Sequence, residues 1–228
     1  MSPGPLVDPA DVPGWLSGLV AATADLDASA LTRVRPPGGL PTRPAAVLML
    51  LGDGDNGPDV LLTRRADTLN SHPGQVAFPG GGADDSDDGP VATALREAEE
   101  EAGVRADGVR AVALLPDLYV PVSGFMVTPV LALWEHPSPV RAVDPRETAA
   151  VARVPIAHLV DPANRFRVRH PSGFTGPAFA APGMLVWGFT AGLLAGLLRL
   201  AGWERPWNAA DVRDLDESLR AANAEVQA

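Results

Sequence analysis

Residues 80–104, GGGADDSDDGPVATALREAEEEAGV, constrain this chain more than any other stretch. The pattern after Pro90 is helical, and residues three or four apart on a helix share a face. Glu97, Glu100 and Glu101 therefore point one way and Glu99 another. Three carboxylates on one face repel, by a few tenths of a kcal/mol (~0.2–0.5) per pair in an isolated helix. A divalent cation turns that repulsion into attraction, and an all-oxygen donor set suits Mg²⁺ or Mn²⁺ rather than zinc or copper. Taken alone, the same run equally fits an acidic face turned to solvent, because glutamate is a good helix former.

The flanks favour a site. Three consecutive glycines, Gly80, Gly81 and Gly82, let the backbone approach a ligand closely. Pro90 suits the first helical turn, with Asp88 or Gly89 beside it as the cap, and Gly103 closes the helix in a left-handed conformation. The expected unit is a loop, helix and loop of about twenty residues with a glycine entry and a carboxylate face.

From Gly82, five residues lead to Asp88 and seven more to Arg96-Glu97-Ala98-Glu99-Glu100-Glu101-Ala102-Gly103-Val104. This resembles the Nudix box, GX5EX7REUXEEXGU, with Asp88 in place of the first glutamate; a one-residue shift of the loop, starting the box at Gly81, is the alternative. Upstream, Leu61-Leu62-Thr63, Arg65-Ala66, Gly74 and Phe78-Pro79-Gly80-Gly81 resemble the signature LLTXR[SA]X3RX3GX3FPGG of the coenzyme A pyrophosphatase branch. Asn70 stands where that signature has its second basic residue. The likeness covers roughly residues 45–200.

The resemblance implies an α/β/α sandwich with a mixed β-sheet and a catalytic loop-helix-loop. It implies one to three Mg²⁺ or Mn²⁺ ions held by Glu97, Glu100, Glu101 and a carbonyl at Gly81 or Gly82. Arg96 orients a neighbouring glutamate, and Glu100 or Glu147 accepts the proton of the attacking water, with Glu101 beside them as a further catalytic group. Arg64, Arg65, Gly80 and Gly81 face the phosphates of a nucleotide diphosphate substrate. The implied reaction cleaves coenzyme A or a derivative to adenosine 3′,5′-bisphosphate and (acyl-)4′-phosphopantetheine. Asn70 keeps a rival open, another nucleoside diphosphate linked to a group X such as ADP-ribose, a dinucleotide or an oxidised nucleotide. A non-catalytic, nucleotide-sensing module is a third reading, and such a module is expected to have lost glutamates that this chain keeps.

Composition narrows the alternatives. The 228 residues suit one domain with appendages: an N-terminal helical extension and linker (1–43), the main domain (44–205) and a helical tail (206–228). A net charge of −10 argues against nonspecific nucleic-acid binding. Without cysteine there is no disulfide, thiol nucleophile or cysteine-ligated zinc. All 18 basic residues are arginine, which excludes the lysine of a Walker A loop and Schiff-base chemistry. The four histidines, His72, His136, His158 and His170, lack metal-site spacing, and only His72 lies within the signature stretch.

At the N-terminus no basic leader or long apolar core is readable, and a cytoplasmic protein is expected. Trp15, Leu16, Leu19 and Val20 fit one face of a short helix after Pro13, and the Pro- and Gly-rich residues 35–44 read as a connector. Residues 45–51, 60–64, 109–115 and 127–134 read as strands, with residues 116–125, including the single tyrosine Tyr119, as a long loop. Residues 184–198, MLVWGFTAGLLAGLL, are too short to span a bilayer and read as a buried helix or part of a homodimer interface.

Overall fold

A computed structural model describes residues 2–32, 34–36, 41–69 and 71–226. In chain order the elements are β1 (Gly4–Pro5), α1 (Gly14–Ala22), β2 (Arg43–Gly54), β3 (Gly57–Arg65), β4 (Val76–Ala77), β5 (Gly80–Gly82) and α2 (Pro90–Ala102). There follow β6 (Val109–Leu114), β7 (Leu118–Val120), β8 (Phe125–Trp134), β9 (Thr148–Pro155), α3 (Ile156–Leu159), β10 (Arg165–Arg169), β11 (Thr175–Ala181), β12 (Met184–Val186), α4 (Gly188–Leu200), β13 (Val212–Asp214) and α5 (Leu215–Val226).

The apolar run at residues 45–51 becomes the middle of β2, whose side chains are buried on both faces, as a central strand requires. β2 runs parallel to β8 from Arg43 to Gly52. Its other edge is shared: Ala45, Ala46 and Val47 pair with the glycines of β5, whereas Leu51 to Gly54 pair with β3. The sheet therefore parts where β3 leaves β2 and turns to β4 and β9, and the three glycines fill the gap. With one parallel pair among antiparallel ones, the sheet is mixed.

Alternate side chains of the central strands feed two cores. Ala46, Leu48, Leu50 and Leu61 meet Ala94, Ala98 and Ala102 of α2 on one face. Met49, Leu51, Val60 and Leu62 meet Leu193, Leu194, Leu197 and Leu198 of α4 on the other. The architecture is the expected α/β/α sandwich. α1 joins the α4 side: Leu16, Leu19 and Val20 are fully buried there, and Trp15 lies 6.1 Å from Trp203. β1 pairs with β6. The connector at 35–44 falls partly outside the described residues, and the helix before it shares the core of the sheet after it.

Two expectations are corrected. Residues 184–198 are not one helix: Met184–Val186 is a strand paired with β11, and the helix starts at Gly188, where φ is +66°. A continuous apolar run carries no period with which to separate the two. Leu193, Leu194, Leu197 and Leu198 of α4 are buried in the chain's own core, as the buried-helix reading expects. Residues 116–125 are likewise not all loop, since Leu118–Val120 pairs with the start of β8 and sets Tyr119 opposite Met126.

Beyond the main sheet, β12, β11, β10 and β13 form a second, four-stranded sheet. The tail is built into it: β13 runs parallel to β10, and α5 packs through Leu215, Leu219 and Ala222 on Phe166, Val168 and Leu185. No helix among the described residues is long and apolar enough to cross a membrane.

Candidate active site

The acidic helix α2 starts after Gly89 (φ +86°) with Pro90 in its first turn, so Gly89 is the cap and Asp88 is exposed. It ends at Gly103 (φ +70°), whose amide donates to Glu99 O at 2.9 Å while that of Val104 donates to Ala98 O at 3.3 Å. The bond from the Gly103 amide to Glu99 O is that of an αL closure, which needs a residue at ease with positive φ. Because its sheet-facing residues are alanines and Thr93, the backbone of α2 lies close to β2 and β5.

That closeness brings the glutamates against the glycines. A Cβ on Gly81 would sit 2.5 Å from the carboxyl carbon of Glu97, and one on Gly80 would sit 2.3 Å from Ala46 O. Neither position has room for a side chain. Glu101 lies one turn beyond Glu97, with the Gly80 amide near enough to favour its charged form. Burial pushes the Glu101 carboxyl up to about 7, with the Glu97 charge adding to the rise and Arg65 opposing it. Burial also raises Glu97, against the pull of Arg96. Two half-desolvated carboxylates thus lie one turn apart with too little positive charge beside them.

Arg96 ties loop to helix. Its Nε and Nη2 donate to both oxygens of Asp87 at 3.0 Å, Nη2 also donates to Gly82 O at 2.9 Å, and Nη1 reaches Glu97 at 2.9 Å and Glu100 at 3.1 Å. This fork-like pairing holds the Asp87 carboxyl far below the usual carboxylate range. The loop braces itself as well, with the Asp84 amide donating to Asp87 Oδ2 and the Ser86 amide to Asp84 Oδ1. The loop acid is therefore Asp87, whose side chain is only 6% exposed, and Asp88 is not. Counted from Gly81, five residues lead to Asp87, and eight rather than seven then lead to Arg96.

The predicted residues are gathered unequally. Glu97, Glu101, Arg96 and the three glycines meet in one place, and Arg65 lies close enough to act on Glu101. Glu100 is drawn outward by Arg96 and its side chain is 59% exposed. Glu147, just before β9, is exposed, and its charge also raises Glu101. Arg64 turns elsewhere: its Nη2 donates to Asp67 Oδ1 at 2.7 Å and to Asn223 Oδ1 of α5 at 3.2 Å. His72 sits in a turn at φ +54°, and Asn70 lies outside the described residues. Among the described residues no three acidic or histidine side chains stand converged around one point. Arg96 stands between Glu97 and Glu100, paired with each.

Asp87 and Asn223 were not singled out by sequence reasoning. For Asp87 the signal was present as the alternative register; for Asn223, 159 residues from its partner, there was none.

A NUDIX domain matches residues 41–172, more than half of the chain. Among curated proteins, the uncharacterized Nudix hydrolase NudL of Cronobacter sakazakii is 45% identical over 103 residues, and that of Escherichia coli K12 is 43% identical over 103 residues. Both matches cover 45% of this chain and 53% of the relative, so the chain spans about half the length of the curated relatives it matches. Among solved structures, the Nudix hydrolase RenU of M. smegmatis aligns over 73% of this chain and 89% of its own, with a TM-score of 0.48 and 21% identity. The NUDIX domain of Shewanella oneidensis NrtR, solved with ADP ribose, aligns over 57% and 84%, with a TM-score of 0.41 and 18% identity. On the strength of the domain match, which contains the glycine strand and the whole of α2, this chain belongs to the Nudix family.

Proposed function

We propose that this chain is a metal-dependent pyrophosphohydrolase that cleaves coenzyme A or its derivatives to adenosine 3′,5′-bisphosphate and (acyl-)4′-phosphopantetheine. The observation that carries the reaction is the pairing of Glu97 and Glu101 against Gly80–Gly82, two carboxylates held in a charge-deficient, partly buried place. Their oxygens and a glycine carbonyl, with Glu100 once its side chain turns in from Arg96, would supply a hard donor set suited to Mg²⁺ or Mn²⁺. The Gly82 carbonyl accepts one bond from Arg96 and keeps a second lone pair. A bound divalent ion supplies neutralisation of the diphosphate oxygens and a water acidic enough to attack phosphorus near neutral pH.

The chain's own residues do the rest. Arg96 fixes the side chains of Glu97 and Glu100 and ties the helix to the loop through Asp87 and to the glycine strand through Gly82 O. Arg65, beside Glu101, offers its guanidinium to a substrate phosphate. Glu147, exposed and near enough for its charge to raise Glu101, is the candidate base for the proton of the attacking water.

The coenzyme A assignment is supported by the LLT, Arg65-Ala66, Gly74 and FPGG residues of the signature. The geometry gives two of these a use: Gly80 closes on Ala46 O, and Gly74 (φ +66°) leaves room for the Arg64–Asp67 pair. One observation favours the rival nucleoside diphosphate substrates: Arg64 is engaged by Asp67 and Asn223.

The test is a parallel incubation of the protein with coenzyme A, ADP-ribose and oxidised dGTP, under Mg²⁺, Mn²⁺ or chelator, with products identified by mass. Metal-dependent release of adenosine 3′,5′-bisphosphate, faster than cleavage of the other two, is the expected result. Preferential cleavage of ADP-ribose or the nucleotide overturns the substrate; no cleavage with either metal overturns the reaction.

A further inference from the structure

The glycine strand β5 is a partition with no side chain on either face. A Cβ on Gly81 would meet the Glu97 carboxyl, whereas one on Gly80 would meet Val47 Cγ1 at 2.8 Å and one on Gly82 would meet Phe125 Cε1 at 3.6 Å. Among the described residues β5 pairs with β2 alone. Two of its remaining backbone groups serve the site: Gly82 O accepts from Arg96, and the Gly80 amide stands near Glu101. A substrate lying across this strand therefore has the glutamates on one side and Phe125 on the other. Followed through the backbone of Gly81 and Gly82, the Phe125 ring is within about 13 Å of the Glu97 carboxyl. The phosphate, ribose and base of a nucleotide together reach across such a distance.

On the Phe125 side stands a cation without an acid. β2 sets Arg43 opposite Phe125 in its pairing with β8, and the guanidinium lies 4.3 Å over the ring. Its Nη2 donates to Ser123 O at 2.9 Å, which holds it flat and leaves Nε and Nη1 without a bond among the described residues. Arg64, Arg96 and Arg153 each hold a carboxylate, and no carboxylate among the described residues pairs with Arg43. In a chain of net charge −10, an exposed arginine stacked on an aromatic ring beside the glycine strand is a ready place for a planar, anionic group. The stacked pair offers a π-face to a base, and the guanidinium fork offers donors to a phosphate.

We propose that Arg43 and Phe125 form the subsite for the nucleoside half of the substrate, with the base stacked on the pair and the free N–H groups of Arg43 on a further phosphate carried by the ribose. This assignment rests on the reaction proposed above and extends it to specificity. A nucleoside diphosphate whose ribose bears no further phosphate leaves Arg43 unused. The pair thus separates coenzyme A from ADP-ribose at positions outside the signature stretch.

Calorimetric binding of adenosine 3′,5′-bisphosphate and of 5′-AMP to the full-length protein with Mg²⁺ reads the subsite without turnover, since neither nucleotide has a diphosphate to cleave. The bisphosphate should bind at least about fivefold tighter than 5′-AMP. Arg43→Ala should remove that preference, Arg43→Lys should keep part of it, and Phe125→Leu, which retains an apolar side chain, should weaken both nucleotides. With coenzyme A as substrate, Arg43→Ala should raise KM at least about fivefold, a larger factor than any fall in kcat. Equal affinity for the two nucleotides, no saturable binding of the bisphosphate, or a preference that survives Arg43→Ala overturns the subsite, even if coenzyme A is cleaved. A preference that depends on Arg43 in a protein that cleaves no coenzyme A upholds the subsite and overturns the proposed reaction.

Discussion

α2 and α4 are both 13 residues long and lie on opposite faces of the same sheet, yet they are held by different means. α4 buries Leu193, Leu194, Leu197 and Leu198 along with smaller residues, so its attachment is dispersion and apolar burial. α2 buries only Thr93 and three alanines, and its outer edge carries carboxylates raised by burial and mutual repulsion. One helix stabilises the fold, while the other is set close to the backbone and kept charge-deficient at some cost in stability. The contrast assigns stability to the leucine face and chemistry to the glutamate face.

Substitutions on the two helices should therefore fail in different assays. The largest effect belongs to the site: Glu101→Gln should lower kcat at least ~10³-fold, about 4 kcal/mol of barrier, with the fold intact by circular dichroism. Next comes the opposite helix, where Leu194→Ala should lose about 2–5 kcal/mol of unfolding free energy in denaturant titration. Activity per folded molecule should stay close to wild type. If Leu194→Ala abolishes turnover without destabilising, the division between the faces is wrong.

The third effect is on pH dependence in metal-free protein. Folding raises the Glu101 carboxyl from 4.5 to about 7, so within that window the native state keeps a proton that the unfolded chain has lost. Stability should therefore fall as pH rises from about 4.5 through 7, by up to about 3 kcal/mol. Thermal melts of Glu101→Gln should lack this decline. Asp87 has the opposite sign: its lowered carboxyl stabilises the native state above the ordinary aspartate range and loses that contribution on acidification.

The smallest effect separates two adjacent aspartates. Asp87→Asn breaks the bidentate pair with Arg96 and should lower the melting temperature, whereas Asp88→Asn should leave it at the wild-type value. Equal losses in the two would return the loop acid to Asp88.

What was legible in the sequence was what is local. Pro90 and Gly103 bracket α2 through the conformations that their own backbones adopt, and the glycines announce a close approach without naming its partner. The choice between Asp87 and Asp88 was not local, because it depends on how far the loop doubles back before Arg96 can reach it. Met184–Val186 read as helix because its strand identity comes from pairing with β11. The Arg64–Asn223 contact, the nearness of Glu147 to Glu101 and the stacking of Arg43 on Phe125 all arise from tertiary packing.

The central claim is that Glu97 and Glu101 form a cation site against the glycine strand. Titration of the protein with Mn²⁺, followed by the loss of the free-ion electron paramagnetic resonance signal, tests it most directly. The account predicts saturable binding that weakens at least tenfold in Glu97→Gln and in Glu101→Gln, while Glu99→Gln binds as wild type does. Unchanged Mn²⁺ binding in the first two variants, or equal weakening in all three, would contradict it.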